Sequence, residues 1–94
     1  MTDHVFLFAL DLSDEPHFDR MLQELSRVVL RYVGFDARIV DAVTHEVRAA
    51  LATGVAEGRE RCDVRFRADG GTLQISIVFA GGGSWEMARA LPAR

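Results

Sequence analysis

A chain of 94 residues, 49% hydrophobic and with a net charge of −3, has the length for one packed domain and no more. No apolar run approaches the roughly 20 residues that cross a bilayer, and the negative balance excludes a general drive toward nucleic acid or anionic membrane. A single cysteine, Cys62, excludes an internal disulfide and any cysteine-cluster metal site, and because all 11 basic residues are arginine, lysine Schiff-base chemistry is excluded too.

The elements follow in order. Residues 5–12 read VFLFALDL and form a strand whose first six residues are all apolar. Ser13 or Asp14 caps a first helix, with Pro16 in its first turn. Phe18, Met21, Leu22, Leu25, Val28, Val29, Tyr32 and Val33 recur at i, i+3, i+4 and are expected to face a core, and Gly34 ends the helix. Arg20, Glu24, Arg27 and Arg31 lie on its outer face, as a solvated stripe or as a docking surface for an acidic partner. Asp36 caps a second helix running to about Gly54, with Ile39, Val43, Val47, Ala50, Leu51 and Gly54 buried. Residues 57–61 are a polar loop.

The spacing then predicts a hairpin. Cys62, Val64, Phe66 and Ala68 alternate with Asp63, Arg65 and Arg67 over 62–68. Asp69-Gly70-Gly71 turns the chain, and Leu73, Ile75, Ile77 and Phe79 point inward over 72–79. Gly81-Gly82-Gly83 breaks this strand, and Ser84 is expected to cap a last short helix through Ala90, before Pro92. The expected fold is a single α+β domain over 1–94, in the order β-α-α-β-β-α, with a small, largely antiparallel three-stranded sheet and two helices on one face.

Several side chains are candidates for chemistry. Glu46 stands on the polar edge of the second helix. Gly81, Gly82 and Gly83 can cradle a phosphate with backbone N–H groups, or simply turn the chain. Asp41 and His45 lie one helical turn apart, but the sequence offers no third ligand, so no metal is expected. Cys62 is a small core residue or, if His45 lies near it, a nucleophile. Trp85 and Met87 read as packing residues or as part of an interface.

Residues 34–54, GFDARIVDAVTHEVRAALATG, and the strand end ISIVFAGGG carry a resemblance. Together with the order of elements over residues 5–83, they resemble the GHKL ATPase superfamily, and within it the small anti-sigma-factor serine kinases. The resemblance implies that Glu46 matches the carboxylate that activates water in the family. It places Ala50 where the family has the asparagine that holds Mg²⁺, and this chain has no asparagine at all. It sets Gly81 and Gly83 on the family's glycines and Phe79 on the aspartate that accepts the adenine amino group. The segment GGGSWEMARAL stands where the family has a mobile lid and a second glycine box, which are either absent or fused into it.

These readings imply a regulatory or protein-interaction module of bacterial signalling, without ATPase or kinase activity and with Glu46 vestigial. The alternative is a nucleotide- or phosphate-binding regulatory domain using Gly81–Gly83, with ATP and Mg²⁺ as its ligands; otherwise no cofactor is expected. A small enzyme using Glu46 or Cys62 is the third reading. A protein partner is expected, with neither nucleic acid nor membrane. The opening residues carry no basic flank, which sets the cytoplasm as the expected address. Two helices cover only one face of the sheet, so the other exposes Phe6, Phe8 and Leu10 or Val5, Leu7 and Ala9, according to register. A homodimer through the first strand or this face is therefore expected, unless residues 84–94 fold back over it.

Overall fold

The computed structural model describes residues 4–13 and 15–92. The cap assigned to Asp14 and the reading of the opening three residues lie outside them. The elements are β1 (His4–Asp11), α1 (Glu15–Tyr32), α2 (Ala37–Ala56), β2 (Arg61–Asp69), β3 (Thr72–Phe79) and β4 (Ser84–Ala90). The strands form one sheet in the order β1-β2-β3-β4, each antiparallel to its neighbour. The domain is α+β, with α1 and α2 packed on one face of the sheet.

Local chemistry sets most of these boundaries. Ser13 donates from its N–H and its hydroxyl to Asp11 Oδ1 and so closes the turn after β1. Both bonds stabilise the ionised Asp11 carboxyl and hold its pKa below the ordinary value. Asp36 caps α2 by accepting from the Ile39 N–H at 3.0 Å. The β2–β3 hairpin pairs Asp69 with Thr72 across Gly70 and Gly71, at φ 57° and 82°. Two consecutive positive φ angles are what a two-residue hairpin turn requires, and glycine adopts them without a Cβ clash.

The segment from Ser84 to Ala90 is a strand and not the expected helix, and the sheet has four strands and not three. Its residues favour helix by propensity, but the open edge of β3 offers an unpaired ladder, and the tight glycine turn sends the chain straight back along it. Trp85 and Met87 then face the helix layer beside Ile77 and Ile75. Residues 84–91 therefore do not fold over the opposite face.

The core lies between helices and sheet. Cys62, Val64, Phe66 and Ala68 from β2 and Leu73, Ile75 and Ile77 from β3 are buried, as alternation required. In α2 the buried residues are Val40, Val43, Val47, Leu51 and Gly54, and the helix runs two residues beyond Gly54. In α1 the buried stripe is Phe18, Leu22, Ser26, Val29 and Leu30. Val28 and Tyr32, expected inside, are 67% and 64% exposed. The apolar series on α1 is wider than the surface it covers, because α1 sits over β1 at the side of the sheet while α2 meets β3 and β4. β1 takes the register that points Phe6, Phe8 and Leu10 inward and Val5, Leu7 and Ala9 outward. Val5, Leu7 and Val78 stand exposed on the uncovered face.

Candidate functional site

An open groove of about 510 Å³ runs between α2 and the β3–β4 end of the sheet. Glu46, Ala50 and Thr53 line its helix wall, and Phe79, Trp85 and Met87 its sheet wall. The spacing 46, 50, 53 puts three side chains on one helical face. Thr53 donates its hydroxyl to the Ala49 carbonyl at 3.1 Å. The groove therefore has two carboxylates, Glu46 and Glu57, an alanine methyl one turn from the first and an aromatic floor.

The floor forms where Phe79 meets Gly54. A Cβ on Gly54 would collide with Phe79 Cε1 and stand 2.9 Å from Cζ. Gly54 is buried within α2, so it acts as a seat for the phenyl ring and not as the helix terminator. The helix stops at Ala56, and past its cap at Glu57 the chain turns away at Gly58, with φ 81°.

The glycine turn joins the two strands of the groove's sheet wall, between Phe79 and Ser84. The Phe79 N–H donates to the Gly83 carbonyl at 3.0 Å, and the Gly82 N–H donates to the Phe79 carbonyl at 3.1 Å. Gly81, Gly82 and Gly83 have φ of 88°, 112° and 93°. Since the turn opens a strand, it brings no helix dipole to a ligand. It does lie along the Arg59 side chain: Cβ atoms at Gly81 and Gly83 would be 3.4 Å from Nη1 and 3.5 Å from Nη2. Arg59 is held there by its own N–H, which donates to the Gly54 carbonyl at 2.9 Å.

The structure brings Glu46, Ala50, Phe79, Trp85 and Met87 to one groove and separates the other candidates from it. Asp41 and His45 line a different depression, of about 220 Å³, between α1 and α2. There Arg48 pairs with Asp19 at 2.7 Å. Among the described residues, no three of His, Cys, Asp and Glu gather as metal ligands. Cys62 is buried in β2, opposite Leu10 and Phe79. Sequence reasoning missed β4 as a groove wall, although Trp85, Met87 and Leu91 have period two. It also missed Arg59, for which no local signal exists.

Burial raises the Cys62 thiol to about 11, with the Asp63 carboxylate adding to the effect. The fold thus favours the neutral thiol, while the unfolded chain ionises near 9.0. The contribution to stability is fully present below pH 9.0 and falls as the pH rises toward about 11. At pH 8 a disulfide reagent should react with folded Cys62 at least about tenfold more slowly than with the urea-unfolded chain. Equal rates would restore Cys62 as a nucleophile candidate.

Comparison with protein-family models and with curated proteins finds no match for this chain. Among the described residues no helix is long and apolar enough to cross a membrane.

Proposed function

We propose that this domain is a non-catalytic, GHKL-like regulatory module that works through protein contacts in bacterial cytoplasmic signalling. The observation that carries the reading is the Phe79 ring seated on Gly54, at the place where the resemblance puts an adenine acceptor. A phenyl ring accepts no hydrogen bond from an amino group, and leaving that donor unpaired costs about 1–3 kcal/mol. Two further features support it. Ala50 offers a methyl group where an amide would hold Mg²⁺, and only residues 80–83 separate β3 from β4, which leaves no lid between them. The Glu46 side chain is exposed and makes no hydrogen bond or ion pair to another described residue. On this reading it is a vestige of the water-activating position and not a catalyst.

Thermal unfolding with and without ATP and Mg²⁺ tests the proposal. A ligand at a hundred times its Kd adds about 2.7 kcal/mol, which in a domain of this size is a rise of roughly 10 °C or more. Millimolar ATP and Mg²⁺ should leave the midpoint unchanged. Micromolar affinity by calorimetry would overturn the reading.

A second reading rests on Arg59. Its guanidinium lies along Gly81 and Gly83, whose amides make no hydrogen bond to other described residues. A guanidinium beside free N–H groups is anion-binding chemistry. A phosphate- or nucleotide-dependent stabilisation that Arg59→Gln abolishes would establish this reading over the first.

A further inference from the structure

The uncovered edge of β1 is unlike the other edge of the sheet. The Leu12 N–H donates to the Glu60 carbonyl at 2.7 Å, continuing the register in which Asp11 faces Arg61. Antiparallel ladders alternate bonded and non-bonded pairs. The bonded pairs are therefore Leu10–Cys62, Phe8–Val64 and Phe6–Phe66, and the peptide groups of Val5, Leu7 and Ala9 point away from β2 to the open edge. Between Val5 and Leu10 this strand carries no charge, no proline and no break in register. These are the devices that keep exposed edges from pairing. The β4 edge has them, with Glu86 outward, Arg89 on the inner face and Pro92 just beyond.

Exposed apolar side chains stand on both faces of the domain. Of the five large hydrophobic residues exposed among the described residues, Val5 and Leu7 lie in β1 on the uncovered face, and Val28 and Tyr32 lie in α1 on the other face. Tyr32 packs edge-on against Phe6, with centroids 6.0 Å apart, and Val28 lies one helical turn before it. The strand also reads nearly the same in both directions about Leu7: Val5-Phe6-Leu7-Phe8-Ala9. A two-fold axis pairs a strand with its own reversed copy, so such a pattern is self-complementary.

We infer that the domain dimerises edge to edge through β1, with the two-fold axis at Leu7, joining two four-stranded sheets into one of eight. Val5 lies opposite Ala9 of the second copy, and Phe6 opposite Phe8. The seam runs under Val28 and Tyr32 of both α1 helices. The assembly does not depend on what the groove binds, so its failure leaves the proposed function untouched.

Light scattering at micromolar concentration should give twice the chain mass of 10.4 kDa. Leu7→Pro removes the central edge N–H and should give a folded monomer, because proline is tolerated where an edge strand faces away from its partner. Should that variant fail to fold, Leu7→Lys opposes like charges at the axis and should raise the dissociation constant severalfold. Val78→Lys, on the open face away from the edge, should remain dimeric. Hydrogen exchange reads the edge directly. In the dimer the amides of Val5, Leu7 and Ala9 should be as protected as those of Phe6 and Phe8, and only the latter two should stay protected on dilution. A monomeric mass unchanged over about a hundredfold range of concentration would overturn the inference. So would a dimer whose Val5, Leu7 and Ala9 amides exchange freely, or one that Val78→Lys breaks and Leu7→Pro does not.

Discussion

Gly54→Ala should destabilise the domain even though alanine is the better helix former. The gain in helix propensity is about 0.5–1 kcal/mol. Against it stands the collision of the new Cβ with the Phe79 ring, whose Cε1, Cζ and Cδ1 all lie within its reach. Overpacking of this kind costs about 1–3 kcal/mol, since helix or ring must shift. The net loss should be about 1–2 kcal/mol, lowering the melting midpoint by roughly 5–15 °C. The Phe79→Ala background supplies the decisive comparison. With the ring gone, only the propensity gain is left, so Gly54→Ala should become neutral or stabilising. A double-mutant cycle with no coupling between the two sites would show that the ring is not seated on this glycine. The same contact bears on function, because the ring held by Gly54 forms the floor of the α2 groove. Phe79→Ala should enlarge the groove.

Phe66→Ala should be the more damaging change. Phe66 is fully buried in the middle of β2, pairs with Phe6 on one side and Ile75 on the other, and stacks on Phe8 with centroids 5.9 Å apart. Truncating a buried phenylalanine costs about 3–5 kcal/mol through lost transfer energy and the cavity left behind. A domain this small has a total stability in the region of 5–10 kcal/mol. The variant should therefore lose half or more of it, and its urea midpoint should fall sharply with the slope of the transition unchanged. Phe66→Leu, closer in volume, should cost less than about 1.5 kcal/mol. A loss below 1 kcal/mol for the alanine variant would mean that the core is not centred on β2.

Periodicity and punctuation in the chain determined much of the fold. Alternation over β2 and β3, the Asp69-Gly70-Gly71 turn and the Asp36 cap are written in neighbouring residues, because turns, caps and two-residue patterns act locally. The α+β class and the two helices on one face follow from them. Glu46 and Gly81–Gly83 were legible as candidates because a helix's polar edge and a glycine run lie within short stretches of chain, whereas Ala50 and Phe79 were singled out only by the resemblance.

What only the tertiary structure decided depends on groups distant in sequence. Ser84–Ala90 has helix-forming residues, and the free edge of β3 drew it into a strand. That exchange added the second wall of the groove and removed the prospect of a helix terminus at Gly81–Gly83. Gly54 looked like a helix end until Phe79, 25 positions later, was found against it. The register of β1 is undetermined by its own apolar run, since one residue of slip exchanges its two faces. Pairing with β2 chose Phe6, Phe8 and Leu10 for the core and left Val5, Leu7 and Ala9 outside.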